Sequence, residues 1–122
     1  MKLQQTDIFG EIDKAKIRPE HLPLPLHDWA LSLYITLQHP KGVTVFDAML
    51  KYGMPKYQER LNEILQHCPH LVKKEMVSVR KRLNRQVDVM KYSIANEDAA
   101  IDFYMQINKK GGFSEYKKRA ND

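Results

Sequence analysis

Apolar positions recur at helical spacing through much of the chain and switch to alternation in one stretch. Leu26, Trp29, Ala30, Leu33 and Leu37 fall at three- and four-residue steps, which predicts a helix over 26–38. Leu31, Tyr34 and Ile35 widen its apolar surface, so burial on more than one side is expected. His39-Pro40-Lys41-Gly42 ends it. Thr44, with Asp47 three residues on, makes a short capping box and opens a second helix. Tyr52-Gly53 closes that helix, Gly53 being suited to the left-handed backbone of a helix end. Pro55 fits the first position of a third helix, predicted over 55–68. Its inner stripe is Tyr57, Leu61, Ile64, Leu65 and Cys68, and its outer face Lys56, Glu59, Glu63, Gln66 and His67, with Arg60 on the flank.

Pro69 stops this helix, and the period then changes. Val72, Val77 and Val79, followed by Val87, Val89, Tyr92 and Ile94, predict a β-hairpin over 71–94. It turns at Arg82-Leu83-Asn84-Arg85, where Asn84 is the residue suited to positive φ. The adjacent apolar pairs Met76-Val77 and Val89-Met90 break strict alternation, so a bulge or strong twist is expected there. Asn96 caps a last helix over 97–110, striped by Ala100, Phe103, Tyr104 and Ile107 and stopped by Gly111-Gly112.

The flanks are less patterned. Thr6 can cap a short helix carrying Ile8, Ile12 and Ala15. Prolines 19, 23 and 25 hold the stretch 19–26 extended and exclude helix, making a semi-rigid arm. Beyond Gly112 the chain predicts a mobile tail whose Lys117, Lys118 and Arg119 can add phosphate contacts. The division is an arm over 1–25, a winged helix-turn-helix over 26–94, and a C-terminal helix with a basic tail over 95–122. The fold class is mainly α with a β-hairpin.

A chain of 122 residues has room for one core. No apolar run nears the roughly 18 residues of a membrane span, so no membrane partner is expected. The start has no signal-peptide pattern, and Cys68 stands alone, which fits a reducing, cytoplasmic setting. Charge changes the picture most. The net charge is +5. The stretch 71–94 holds Lys73, Lys74, Arg80, Lys81, Arg82, Arg85 and Lys91 against Glu75 and Asp88, an excess equal to that of the whole chain. Positive charge gathered on one element is a footprint for polyanions.

The stretch 43–94 resembles the small helix-turn-helix domains frequent in phage and prophage proteins. The shared pattern is Thr44, Ala48, Gly53-Met54, Arg60-Leu61, Ile64-Leu65, Met76-Val77-Ser78-Val79, Arg82, Arg85, Val87 and Tyr92-Ser93-Ile94. The resemblance implies a winged helix and a DNA-linked role.

The expected function is therefore DNA binding, as a phage or mobile-element regulator or accessory factor. The helix 55–68 would enter the major groove and the hairpin 71–94 would lie on the backbone. The expected contacts are Thr44, Lys56, Gln58, Glu59 and Arg60, and on the hairpin Lys73, Lys74, Arg80, Lys81, Arg82, Arg85 and Lys91. The alternative is a protein-interaction or oligomerisation module. Helices 26–38 and 97–110 carry surplus apolar surface, so a homodimer through them is expected. His67-Cys68-Pro69-His70 lacks the second ligand pair of a structural zinc site, and no acid–base pair or phosphate-binding glycine loop is present. Neither a cofactor nor an enzymatic activity is expected.

Overall fold

The structure, a computed structural model, describes residues 17–80, 83 and 85–120. The short helix expected from Thr6, the Asn84 turn position, and Lys81 and Arg82 lie outside the described residues. Five α-helices and three strands follow in the order α1 (Asp28–Gln38), β1 (Val43–Thr44), α2 (Val45–Tyr52), α3 (Tyr57–His67), β2 (Val72–Arg80), β3 (Gln86–Ile94), α4 (Glu97–Ile107) and α5 (Gly112–Ala120). The strands form one antiparallel sheet in the order β1-β3-β2.

Local chemistry accounts for the helix boundaries. His27 caps α1: its Nδ1 accepts from the Ala30 N–H at 3.4 Å while its Nε2 donates to the Ile107 carbonyl at 2.8 Å. Thr44 and Asp47 form the expected capping box on α2. Gly53 ends α2 with φ 62°, and its N–H reaches the Met49 carbonyl at 3.0 Å. Asn96 caps α4 through the Ala99 N–H. Pro55 does not begin α3 as expected. Pro55-Lys56 forms a turn, and the helix starts at Tyr57 with Lys56 at its cap position.

A single core joins these elements. Leu33, Ile35, Tyr57, Leu61, Ile64, Tyr92, Tyr104 and Ile107 are fully enclosed in it. At about 1.5–3 kcal/mol for each large apolar side chain taken from water, this burial is the main force holding the helices on the sheet. No described helix is long and apolar enough to cross a membrane.

Several expectations are corrected. The hairpin is part of a three-stranded sheet, because Val43 and Thr44 pair with Tyr92 and Lys91. The expected bulge does not form: the register runs unbroken from Val72↔Ile94 to Arg80↔Gln86. Both faces simply carry apolar pairs, Met76 with Met90 on one and Val77 with Val89 on the other. The arm is not a spacer. Pro19–His21 makes a 3₁₀ turn, Leu22 enters the core, and the backbone is tied to α4 by Tyr104 Oη to the Pro23 carbonyl (2.6 Å) and by Asn108 to Leu24 and Leu26.

The segment expected to be a mobile tail is α5. Phe113 is fully buried and Tyr116 half-buried, their rings packing against Trp29, His67 and Phe103. Gly112 has φ 57°, and a Cβ there would meet His27 Nε2 at 2.6 Å, so a glycine is needed where α5 turns onto α1. This packing covers part of the apolar surface that motivated a homodimer through 26–38 and 97–110, while Leu26 and Met105 stay exposed. Trp29 and Phe103 meet α5, and Tyr34 lies against Tyr104 within the chain.

Candidate nucleic-acid interface

The site is built around α3. Its inner side buries Tyr57, Leu61, Ile64 and Leu65. The Tyr57 hydroxyl donates to Thr36 Oγ1 at 2.6 Å, and Thr36 in turn donates to the Ser32 carbonyl at 2.9 Å. Both hydroxyls are thereby satisfied in the core. Burial pushes the Tyr57 phenol well above its ordinary pKa, with the Thr36 hydrogen bond a smaller opposing influence. The Tyr57 ring meets the Tyr92 ring edge-on at 5.7 Å, which sets α3 against β3.

Helical spacing leaves Lys56, Glu59, Glu63 and Gln66 on the outer side. One flank of this strip meets the sheet. Gln58 and Asn62 hydrogen-bond to the Tyr92 hydroxyl, lowering a phenol pKa that burial raises more strongly. The other flank meets α1 and α5, through Arg60, Glu63 and His67.

Arg60 is committed to the protein itself. Its Nη1 donates to Glu63 Oε1 at 2.9 Å, and its guanidinium lies 5.2 Å from the Trp29 ring centroid. Trp29 Nε1 donates to the same Glu63 oxygen at 2.8 Å. These two donors, Arg60 first, hold the Glu63 carboxyl below its usual range. Arg60 is a link between α1 and α3 and only 24% exposed, so the nucleic-acid contact expected of it would compete with this link. Thr44, also expected as a contact, is engaged as well. It is 8% exposed, and its hydroxyl accepts from the Asp47 N–H. Lys56, Gln58 and Glu59 are exposed on the first turn of α3, where a reading helix needs them. Lys56 opposes Glu59 and Arg60 opposes Glu63, so the strip is close to neutral.

The hairpin does not present its cations on one surface. Side chains alternate across a strand, so Lys74 and Arg80 share a face with Met76, while Lys73 shares the other with Glu75 and Lys91. Lys91 is half-buried; it stands opposite Glu75, and its stem lies over Gly42. The expectation of one cationic ribbon is thus corrected by strand geometry. Two cations lie where the strands end at the turn. Arg80 and Arg85 are exposed and make no ion pair among the described residues. Between them Leu83 is 92% exposed with φ 63°. Leu83 is the one non-glycine residue with positive φ among the described residues.

His67 packs its ring on Phe113 and Tyr116, and Cys68 caps the end of α3, half-buried, where burial raises its thiol pKa. Among the described residues no group of three or more His, Cys, Asp or Glu side chains is placed to hold a metal ion.

The basic residues expected to add phosphate contacts from a mobile tail are instead carried by a helix, α5. Lys117 and Lys118 are exposed, and Lys117 Nζ sits 4.8 Å from the Phe113 ring centroid. Phe113 and Tyr116 at a three-residue step were the available signal, but the surrounding charge masked it.

No protein-family model, curated protein or solved structure matches the chain.

Proposed function

We propose that the chain is a winged helix-turn-helix protein that binds duplex DNA, with α3 toward the major groove and the β2–β3 tip on the neighbouring backbone. Three features support the reading. The helices α2 and α3 are joined by the short turn at Gly53–Lys56. The Tyr57–Tyr92 ring contact sets the base of a long hairpin against α3. The observation that carries the reading is the tip: Arg80 and Arg85 are exposed without a carboxylate partner among the described residues.

On this reading the tip supplies most of the electrostatic attraction, because the outer strip of α3 is nearly neutral. Lys56, Gln58 and Glu59 supply polar groups for base edges, Glu59 as an acceptor for a cytosine amino group. Lys81 and Arg82 belong to the same tip by sequence. A role as a regulator or accessory factor of a phage or mobile element follows from the family resemblance.

The test is a fluorescence-anisotropy titration of labelled duplex DNA at several salt concentrations. Each phosphate contact contributes roughly 0.9 to the log–log salt slope. The double variant Arg80→Ala, Arg85→Ala is expected to flatten the slope by up to about 1.8. No binding at low salt, or a slope unchanged in the double variant, overturns the reading.

A second reading is favoured by the neutral strip itself, together with the exposed Leu50, Met76 and Leu83. In it the same helix and hairpin dock another protein. A partner retained after nuclease treatment and lost on substituting Met76 and Leu83 with Ser would favour it.

A further inference from the structure

We propose that α5 is a second phosphate-contacting element, with Lys117 and Lys118 holding the DNA strand on the side of α3 away from the hairpin. The inference rests on the DNA reading above and extends it to a part of the chain outside the helix-turn-helix stretch.

The argument is one of flanks. The hairpin borders α3 on the side of Gln58 and Asn62, which reach the Tyr92 hydroxyl of β3. The helix α5 borders α3 on the opposite side, where His67 packs on Phe113 and Tyr116. Lys117 follows Phe113 by one turn and so emerges at the edge of the buried ring. Its Nζ sits 4.8 Å from that ring's centroid, and its charge helps keep Glu63 of α3 ionised. Lys117 therefore stands at the seam between α5 and α3. Lys118 lies about 100° further round the helix and faces solvent. Arg119 turns the other way: with Gln106, Lys109 and Tyr116 it lines a groove of about 420 Å³ between α4 and α5.

The dimensions agree with this placement. A helix with its side chains is about 10–12 Å across, and the major groove is about 12 Å wide. A helix seated in the groove brings one backbone against each of its flanks. Here one flank meets the hairpin at Tyr92 and the other carries Lys117 and Lys118. The nearby acids do not cancel them. Glu63 is already engaged by Arg60 and Trp29, and Glu115 lies on the far side of α5 beside Gly111. Lysine suits the task, since a mobile point charge meets a phosphate without a fixed geometry.

The experiment compares the full chain with Lys117→Gln/Lys118→Gln and with Arg119→Gln, using labelled duplex DNA between 50 and 200 mM salt. The double variant is expected to lose up to about 1.8 from the salt slope, two contacts' worth, so that its affinity falls roughly tenfold less than the wild type's over that range. Arg119→Gln should keep the wild-type slope. Lys118→Gln alone, which disturbs no packed ring, should lose about 0.9. If the wild type binds and the lysine variants keep its slope, the inference fails and the DNA reading stands. If Arg119→Gln loses as much as Lys118→Gln, net charge rather than placement is responsible, and the inference fails. If the wild type does not bind at low salt, both fall together.

Discussion

The helix α3 and the tip of the β2–β3 hairpin hold their arginines in opposite circumstances. Arg60 has a carboxylate at 2.9 Å and an indole ring under its guanidinium, so its charge joins two helices. Arg80 and Arg85 have neither among the described residues and extend into water. The formal charges are identical, but a nucleic acid approaching the molecule meets only the second kind. Charge counted along a chain locates a binding surface only after the charges held by the protein's own groups are removed from it.

Perturbing the inner side of α3 should have the largest effect. Leu61→Ala empties a fully buried position and should cost about 2–5 kcal/mol, read as a shift of the urea midpoint. Thr36→Val leaves the Tyr57 hydroxyl buried without its acceptor and should cost about 1–3 kcal/mol. Adding Tyr57→Phe should recover most of that loss, since both ends of the pair are then apolar; additive losses would mean that the hydroxyls act independently.

Glu63→Gln weakens the link between Arg60 and Trp29, and roughly 1 kcal/mol is expected at neutral pH. The folded-state pKa of Glu63 is depressed, so its contribution is complete above the unfolded value near about 4.3 and is lost as pH falls through the lower folded value. The stability gap between wild type and variant should therefore close in acid, as followed by thermal melts across pH. Leu83→Gly relieves a left-handed leucine and should stabilise by about 0.5–1 kcal/mol, a small rise in melting temperature. Arg80→Ala with Arg85→Ala should change stability by less than about 0.5 kcal/mol. A larger loss would mean that the tip, like Arg60, is tied into the fold.

The helices α1, α2, α3 and α4 were legible because each has a continuous apolar stripe and a stop, and two of them have side-chain caps of ordinary type at Thr44 and Asn96. His27 was not legible as a cap, since its role depends on Ile107, far along the chain. The strand β1 was hidden for a similar reason: two residues have no period, and only pairing with Tyr92 and Lys91 makes them a strand. The helix α5 was concealed by its lysines, although Phe113 and Tyr116 are correctly spaced to bury one side. Within the site, the opposed directions of Lys73 and Lys74 were readable, because neighbours on a strand must face opposite ways. The capture of Arg60 was half readable. Glu63 lies one turn on, but Trp29 approaches only through the crossing of α1 and α3.

Docking of α5 by Phe113 and Tyr116 bears on how the molecule can be cut. A version ending at Lys110 would leave the indole of Trp29 and the ring of Phe103 facing water across adjacent helices. Such a truncated chain should self-associate and bind hydrophobic dyes even though residues 26–94 are intact. A cleavage site engineered at Gly111 would make that stickiness switchable in a single preparation.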